Sequence, residues 1–214
     1  MTESNDKILD AVYEILIQKG VKSTTMDFIA RQLQMSKRTL YEMYDNKTAL
    51  LSKAMEHHAD KHRKICEDIA LSSPDIMESL VKIFKLHRDN LSRVNVKFFR
   101  DMDRLHPRFR DDYETRHDNH RKQLMLMFRL GVQQGVFRDD INFSALIRII
   151  ELQMESIIRM EEIYTGDMNI TDVFDTVMIC YLRAIASTKG LEILDKAIPK
   201  YFPELTSGKS TTGK

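Results

Sequence analysis

The chain of 214 residues is long enough for one large domain, or for a small domain joined to a larger one. Its hydrophobic content of 43% supports a packed core, and only 7 Gly and 4 Pro are available for the turns of a β-rich fold, so the composition favours helices. A formal net charge of +1 excludes a chain that is strongly basic or acidic as a whole, so any surface for nucleic acid must be local.

The chain carries no predicted export or membrane segment. Its N-terminus, MTESNDK, lacks the apolar stretch of a signal peptide. No run approaches the roughly 18 uncharged apolar residues that a membrane span requires. Cys66 and Cys180 lie far apart in apolar helical patterns, which is typical of reduced thiols. We therefore expect a cytoplasmic protein with no membrane partner.

Helix signals follow one another closely in the N-terminal part of the chain. A first helix is predicted from apolar residues at helical spacing, and it stops at Gly20. Thr25 is placed to cap a second helix of about two turns. Ser36 can cap a third, and Asn46 a longer fourth that runs towards residue 70. The apolar positions of the first two helices are Ile8, Ala11, Val12, Ile15, Leu16, Met26, Ile29, Ala30 and Leu33.

The middle of the chain continues the helical pattern after a break at 72–74, which reads Ser-Ser-Pro. A second apolar pattern runs through 76–86, and Pro107 starts another segment in which charges alternate. Gly131 and Gly135 are predicted to close that helix. Neither a repeat nor a strand is predicted.

Two helices near the C-terminus are apolar over much of their circumference, over 142–164 and 171–187. A helix of this kind must be covered on more than one side, which favours a homodimer joined through a four-helix bundle. The alternative is that both are simply core helices. Further apolar residues lie outside the main stripes, at Ile149, Leu152, Met160, Val173, Ile179, Cys180 and Ala184. The predicted dimer interface comprises Phe143, Ile147, Ile150, Met154, Ile157, Ile158, Phe174, Val177, Met178, Tyr181 and Ile185.

The stretch SKRTLYEMYDNK at 36–47 predicts a helix that gives few residues to the core. Leu40 points inward with Met43 and Tyr44 beside it, whereas Arg38 and Tyr41 point outward. A short helix after a tight turn is helix-turn-helix geometry, in which the second helix enters the major groove with its N-terminal residues leading. Those leading residues are Ser36, Lys37, Arg38 and Thr39.

Residues 8–51 resemble the DNA-binding region of the TetR/AcrR family of bacterial transcription regulators. The spacing of the matching residues fits without a gap. Two positions depart from the family pattern: Gln34 stands where a turn glycine is usual, and Met43 where a histidine or aromatic residue is common. The matching residues are Gly20, Thr24, Thr25, Ile29, Ala30, Leu33, Ser36, Thr39, Leu40, Tyr41, Tyr44, Lys47, Leu50 and Leu51.

The resemblance implies roles for individual residues. Phosphate contacts are implied for Thr25, Tyr41 and Lys47. Base contacts, or contacts to the backbone nearby, are implied for Lys37, Arg38 and Thr39. Gln34 is expected either to alter the turn or to adopt a conformation unusual for a residue with a side chain.

The predicted fold is all-α, with a helix-turn-helix domain at 1–50, a helical effector-binding and dimerisation domain at 51–200, and a disordered tail at 201–214. The resemblance implies a small-molecule pocket in the second domain, whose occupation would pivot the fourth helix and change the spacing of the two DNA-binding heads. The pocket candidates are Phe84, His87, Phe98, Phe99, Met102, Leu124, Phe128 and Met154.

We therefore predict a homodimeric, ligand-responsive regulator, a repressor by the family's default, that binds a palindromic double-stranded operator. No catalytic residue, metal ligand or cofactor site is expected. Two alternatives stay open. A helical-bundle enzyme would use a metal held by His58 and His62, and it would lose activity on chelation. A helical adaptor that binds only proteins would show no salt-sensitive affinity for DNA.

Overall fold

The computed structural model describes residues 2–105 and 110–206. Within these ranges no strand forms, and β-type pairing is limited to one isolated antiparallel bridge between Phe137 and Ala186. The predicted all-α class is confirmed. None of the described helices is both long and apolar enough to cross a membrane. The helices are α1 (Thr2–Lys19), α2 (Met26–Gln32), α3 (Lys37–Met43), α4 (Lys47–Ser72), α5 (Ile76–Arg93), α6 (Val96–Leu105), α7 (Arg110–Gln133), α8 (Phe143–Ile157), α9 (Glu161–Thr165), α10 (Ile170–Ile185), α11 (Thr188–Tyr201) and α12 (Pro203–Thr206).

The chain divides into two compact units. The first combines Met1–Ile65 with Arg93–Tyr113, and the second combines Cys66–Ser92 with Glu114–Lys214. Helix α6 therefore packs with α1 to α3, although it follows them by more than fifty positions in the sequence. The predicted domain boundaries, at residues 50 and 200, assign each stretch of sequence to one domain in turn. They do not include the return of 93–113 to the first unit. They stay a prediction.

Hydrogen bonds and a buried aromatic ring join helix α6 and the residue before it to the rest of the first unit. The backbone N–H of Asn95 donates to the Ile17 carbonyl at 2.7 Å, and the N–H of Lys22 donates to the Asp101 carboxylate at 2.7 Å. Phe98 adds a buried ring to the core beneath them. The other buried members of this core are Leu9, Val12, Leu16, Ile17, Val21, Met26, Ile29, Ala30, Leu40, Tyr44, Leu50, Leu51 and Ala54.

The second unit is built on residues from α5, α7, α8, α10 and α11. Leu194 of α11 is completely buried, so α11 is part of the core. The sequence patterns do not predict this helix. The other buried residues of this cluster are Ile76, Met77, Leu80, Val81, Phe128, Val136, Phe137, Ile147, Leu182, Ile185, Ala186, Ala197, Ile198 and Phe202.

The prediction of one helix over 142–164 is wrong in one respect. Asn142 caps α8, with its side chain accepting from the N–H of Ala145 at 3.1 Å. The helix ends at Ile157, and a separate short helix, α9, begins at Glu161. Apolar periodicity continues through 157–160, but periodicity does not reveal a local change in the direction of the chain.

The prediction of a disordered tail from residue 201 is wrong for its first residues. Tyr201 is the last residue of α11, Phe202 is 5% exposed within the core, and Pro203–Thr206 form α12. The buried ring holds this part of the chain in place. Residues 207–214 and Pro107 lie outside the described residues.

Candidate nucleic-acid interface

Helices α2 and α3 begin at the caps that the sequence predicts. The Thr25 hydroxyl accepts from the N–H of Phe28 at 3.1 Å, and the Ser36 hydroxyl accepts from the N–H of Thr39 at 3.0 Å. Each bond satisfies one of the backbone donors that a helix start leaves without a partner. These caps fix where the two helices begin, on either side of the turn.

The turn between these helices contains a residue in a left-handed conformation. Gln34 has φ of 53°, and it is the only residue other than glycine with a positive φ in the described part of the chain. The N–H of Met35 then donates to the Ala30 carbonyl at 2.9 Å, which closes the turn. The expectation of an unusual conformation at Gln34 is confirmed.

Two buried side chains fix which face of α3 points outward. Leu40 is fully buried, and Tyr44 is 9% exposed with its hydroxyl donating to the Asn5 side chain at 2.6 Å. The opposite face carries Lys37, Arg38, Tyr41 and Glu42, all exposed. The predicted orientation of this helix is confirmed for Leu40, Tyr44 and the outward residues, whereas Met43 is 40% exposed.

Lys37 is paired across the turn with an acidic residue of α2. Its Nζ lies 2.8 Å from the Asp27 carboxylate and 5.9 Å from the centroid of the Tyr41 ring. The hydrogen bond to Asp27 raises the pKa of Lys37, so the ammonium stays charged. The predicted base-reading lysine is therefore held in place by a neighbouring helix.

Arg38 is paired along α3 itself. Its Nε donates to Glu42 Oε1 at 2.8 Å, across one helical turn. The two side chains are 88% and 60% exposed, so the pair lies in solvent on the outer face. Neither Asp27 nor Glu42 was predicted from the sequence to form an ion pair. The i,i+4 spacing of Arg38 and Glu42 on one helix could have predicted the second of these pairs.

Lys47 points into the first unit, in contrast to the other predicted contact residues. Its Nζ donates to the Val21 carbonyl at 2.6 Å, and the side chain is partly buried. Burial lowers the pKa of this ammonium. The structure thus joins the start of α4 to the segment after α1, while Thr25, Ser36 and Thr39 remain exposed beside α3.

The eight predicted pocket residues are divided between the two units. Phe98 is buried in the core of the first unit, where Phe99 and Met102 pack against the same cluster. Phe128 is buried in the core of the second unit, where Phe84 and Leu124 pack. The prediction of a single pocket in the second domain is therefore wrong for the three residues of α6. His87 and Met154 belong to the second unit and are partly buried.

Five of the eleven residues of the predicted dimer interface are buried within a single chain. Periodicity identifies a stripe that must be covered, but it does not show whether the cover is another helix of the same chain or a second copy. The prediction is therefore wrong for the members that the chain itself buries. Those buried members are Ile147, Ile157, Phe174, Met178 and Ile185.

The outer faces of α8 and α10 carry four of the seven apolar residues that lie outside the main stripes. Ile149 is 52% exposed and Leu152 is 47% exposed on α8, and Cys180 and Ala184 are exposed on α10. The hydroxyl of Tyr181 on α10 donates to Gln153 of α8 at 2.6 Å, so these two helices are neighbours.

His58 has a packing role in the first unit. Its ring stacks on Tyr13 with centroids 3.5 Å apart and an interplanar angle of 10°. Burial lowers the pKa of His58 to about 4, and burial also lowers the pKa of His62. These histidines are therefore neutral at pH 7.

Comparison with known sequences finds transcriptional regulators. Residues 8–54 match the family model described as bacterial regulatory proteins, tetR family. The chain is 26% identical over 187 residues to YdeS of Bacillus subtilis, an uncharacterized HTH-type transcriptional regulator, covering 86% of this chain and 91% of the relative. It is 36% identical over 52 residues, 24% of this chain and 28% of the relative, to IcaR of Staphylococcus epidermidis, a negative regulator of the biofilm operon icaADBC.

Solved structures share the fold. A putative transcriptional regulator from Saccharomonospora viridis, solved with choline, aligns with a TM-score of 0.70 at 20% identity over 87% of this chain and all of that one. The regulator FadR from Bacillus subtilis, solved with stearoyl-CoA, aligns with a TM-score of 0.63 at 14% identity over 80% of this chain and 94% of that one. A capped helix-turn-helix in the matched region and regulators among the sequence relatives together support a DNA-binding transcriptional regulator of the tetR family, whose members are regulators and not enzymes.

Proposed function

We propose that the protein is a homodimeric repressor that binds a near-palindromic operator and releases it when a small molecule occupies the second domain. The outer face of α3 carries this proposal. Leu40 and Tyr44 hold the helix from inside, and Lys37, Arg38 and Tyr41 stand exposed on the outside. A helix held in this way can enter the major groove without losing contacts to its own core.

The proposed DNA contacts divide into two kinds. Lys37 and Arg38 carry donors for the acceptor atoms of guanine in the major groove. The hydroxyl groups of Thr25, Ser36, Thr39 and Tyr41 suit phosphate oxygens. A phosphate contact from Lys47 requires its ammonium to exchange the Val21 carbonyl for a phosphate oxygen.

The proposed dimer uses the exposed faces of α8 and α10. Ile149 and Leu152 leave apolar surface in water, and the smaller Cys180 and Ala184 allow a second helix to approach closely. A two-fold interface places the same patch on both copies, so these four residues would meet their own equivalents or near neighbours. This proposal replaces the predicted interface residues that the single chain buries.

A two-fold dimer imposes symmetry on its operator. Each copy would place α3 in one major groove, with half-site centres separated by about 34–36 Å or a multiple of that distance. The operator would then be a near-palindrome with its axis between the half-sites. Regulation by an operator of this kind places the protein in the cytoplasm.

We propose that the effector site lies in the second domain, among Phe84, His87, Leu124, Phe128 and Met154. Two regulators of the same fold were solved with ligands, one with choline and one with stearoyl-CoA, which supports a ligand site in this chain. The ligand must favour one arrangement of the two DNA-binding heads, because equal affinity for both arrangements shifts nothing.

Selection from a random double-stranded DNA library with the purified protein tests the proposal. We expect a palindromic winner whose affinity falls steeply with salt, because neutralised phosphates release counterions. Lys37→Ala, Arg38→Ala and Tyr41→Ala should weaken binding, whereas Lys64→Ala, on the exposed side of α4, serves as the matched control.

Failure to enrich any sequence, or binding unchanged by all three variants of α3, would contradict the proposed interface. An asymmetric winner bound by one copy would contradict the homodimer while leaving the DNA-binding role intact. The selected operator can then be used to screen metabolites for release, and a compound that releases it identifies the effector class.

A further inference from the structure

The two positive charges of α3 are each paired with an acidic side chain, although the proposed partner, DNA, is a polyanion. Lys37 pairs with Asp27 at 2.8 Å, and Arg38 pairs with Glu42 at 2.8 Å. Each acid cancels one of the two positive charges that α3 offers to DNA. Since carboxylates repel phosphates, Glu42 cannot serve to increase the general affinity for DNA.

The geometry of the Arg38 pair leaves its reading atoms available. Glu42 engages Nε, and this is the only hydrogen bond of the Arg38 guanidinium within the described residues. Both terminal nitrogens therefore remain open on the solvent side. Those two nitrogens are the donors with which an arginine binds guanine O6 and N7 in a bidentate manner.

We propose that Glu42 is a positioning residue, which holds the Arg38 guanidinium so that its terminal nitrogens read guanine at one position of each half-site. This inference rests on the proposed role of α3 in the major groove. An arginine that is 88% exposed samples many rotamers, and the Nε bond to Glu42 restricts them before DNA arrives. Arg38 then loses less side-chain entropy when the protein binds DNA. The resulting gain in binding free energy applies only where a guanine fits the orientation in which Glu42 holds the guanidinium.

The proposal separates the two effects of Glu42 on binding. Removing the carboxylate eliminates repulsion and should raise affinity for unrelated DNA. It should also release Arg38 and lower the preference for guanine at the position that Arg38 reads. A purely electrostatic role would shift affinity for all sequences equally and would leave the base preference unchanged.

The test measures binding to the selected operator and to versions in which each base pair of the half-site, one at a time, is replaced by each of the other three base pairs. Arg38→Ala identifies the base pair that Arg38 reads, and we expect a loss of about tenfold in preference there. Glu42→Ala should lose most of the same preference at the same base pair. Glu42→Gln, whose amide oxygen can still accept from Nε, should retain part of it. The double variant should lose no more than Arg38→Ala alone.

Glu56→Ala provides the matched control, because Glu56 pairs with Lys53 at 2.8 Å on α4 of the same unit. This variant should leave every base preference unchanged. The proposal is overturned if Glu42→Ala keeps the preference for guanine, or if it alters a different base pair, as direct reading of cytosine by Glu42 would do. If the unmodified protein selects no DNA sequence, both the proposed function and this inference are wrong. If it selects an operator but Glu42→Ala leaves the base preference unchanged, only this inference is wrong.

Discussion

The ion pair between Arg88 and Asp175 places a carboxylate in an almost fully buried position. Arg88 Nε donates to Asp175 Oδ2 at 2.6 Å, and the Asp175 side chain is 2% exposed. The other oxygen, Oδ1, has no hydrogen-bond partner within the described residues. Burial raises the pKa of Asp175, while the guanidinium opposes that rise. Arg88 also lies 2.9 Å from Glu204.

Arg88→Met should therefore destabilise the protein by about 3–5 kcal/mol, because it leaves Asp175 buried and unpaired. The double variant Arg88→Met with Asp175→Leu should recover most of that loss, since neither charge then remains. Chemical denaturation followed by circular dichroism measures both values.

Arg183→Met is the control for this experiment, because its partner Asp195 is 58% exposed and a surface pair contributes less than about 1 kcal/mol. If the double variant is no more stable than Arg88→Met alone, the buried charge is not the cause of the destabilisation.

His58 should make the protein sensitive to acid. Its pKa is lowered to about 4 in the folded chain, from the ordinary value of 6.5. Between pH 6.5 and about 4 the unfolded chain therefore binds more protons at this residue, and stability falls as the pH falls through that window. His62 contributes in the same direction, and Asp10, Lys61 and Arg93 also act on the His58 charge.

His58→Phe should reduce the loss of stability on going from pH 7 to pH 4.5, because phenylalanine keeps a ring on Tyr13 but does not titrate. Denaturation at the two pH values measures the loss for both proteins. An equal loss would show that His58 is not a source of the acid sensitivity. Some loss should remain in the variant, since His62 is unchanged.

At the scale of elements, Gly190 sets how closely α11 approaches the backbone of the segment after α7. A Cβ added at this position would lie 2.0 Å from the backbone carbonyl oxygen of Val136, a distance that requires the backbone to move. Gly190→Ala should thus lower the melting temperature, although alanine is favoured over glycine by about 1 kcal/mol in a helix interior. Lys189→Ala on the same helix loses a hydrogen bond to the Gln134 carbonyl at 2.8 Å and provides the exposed comparison. A Gly190→Ala protein as stable as the unmodified one would show that α11 can shift without cost.

The starts of the helices were predictable because a helix cap is local. Thr25, Ser36 and Asn46 each accept from a backbone N–H three residues later, as their residue types and the apolar pattern after them indicate. The inward position of Leu40 followed from the same local periodicity. The fold class and the face of α3 therefore came from the sequence alone.

The tertiary partners were not predictable in the same way. Phe98 and Phe84 have similar sequence surroundings, yet one belongs to the core of the first unit and the other packs in the second. The Lys37–Asp27 pair depends on the angle at which α2 and α3 meet. The inward path of the Lys47 side chain depends on where the Val21 carbonyl lies. None of these is a property of spacing along the chain.

At the scale of the whole molecule, Leu152→Glu should convert the proposed dimer into a monomer. The side chain is 47% exposed on α8, and a charge on a two-fold interface would be desolvated in both copies. Analytical ultracentrifugation should give the mass of a dimer for the unmodified protein and of a monomer for the variant. The monomer should also lose most of its operator affinity, because only one half-site is then held at a time.

Leu71→Glu offers a strict comparison, since Leu71 is 86% exposed on α4 and its replacement adds the same charge. This variant should remain dimeric. If both variants stay dimeric, the copies associate through another surface, and the exposed faces of α8 and α10 need a different explanation.

The pairing of both cations of α3 with acidic side chains has a consequence for how the protein would find the proposed operator. A genome offers about 10⁶–10⁹ competing sites, and a strongly basic reading surface would spend most of its time on them. Because Asp27 and Glu42 offset Lys37 and Arg38, the reading helix adds little to this indiscriminate attraction. Fewer copies of the protein would then be held on unrelated DNA, so a small number of molecules per cell would keep the proposed operator occupied.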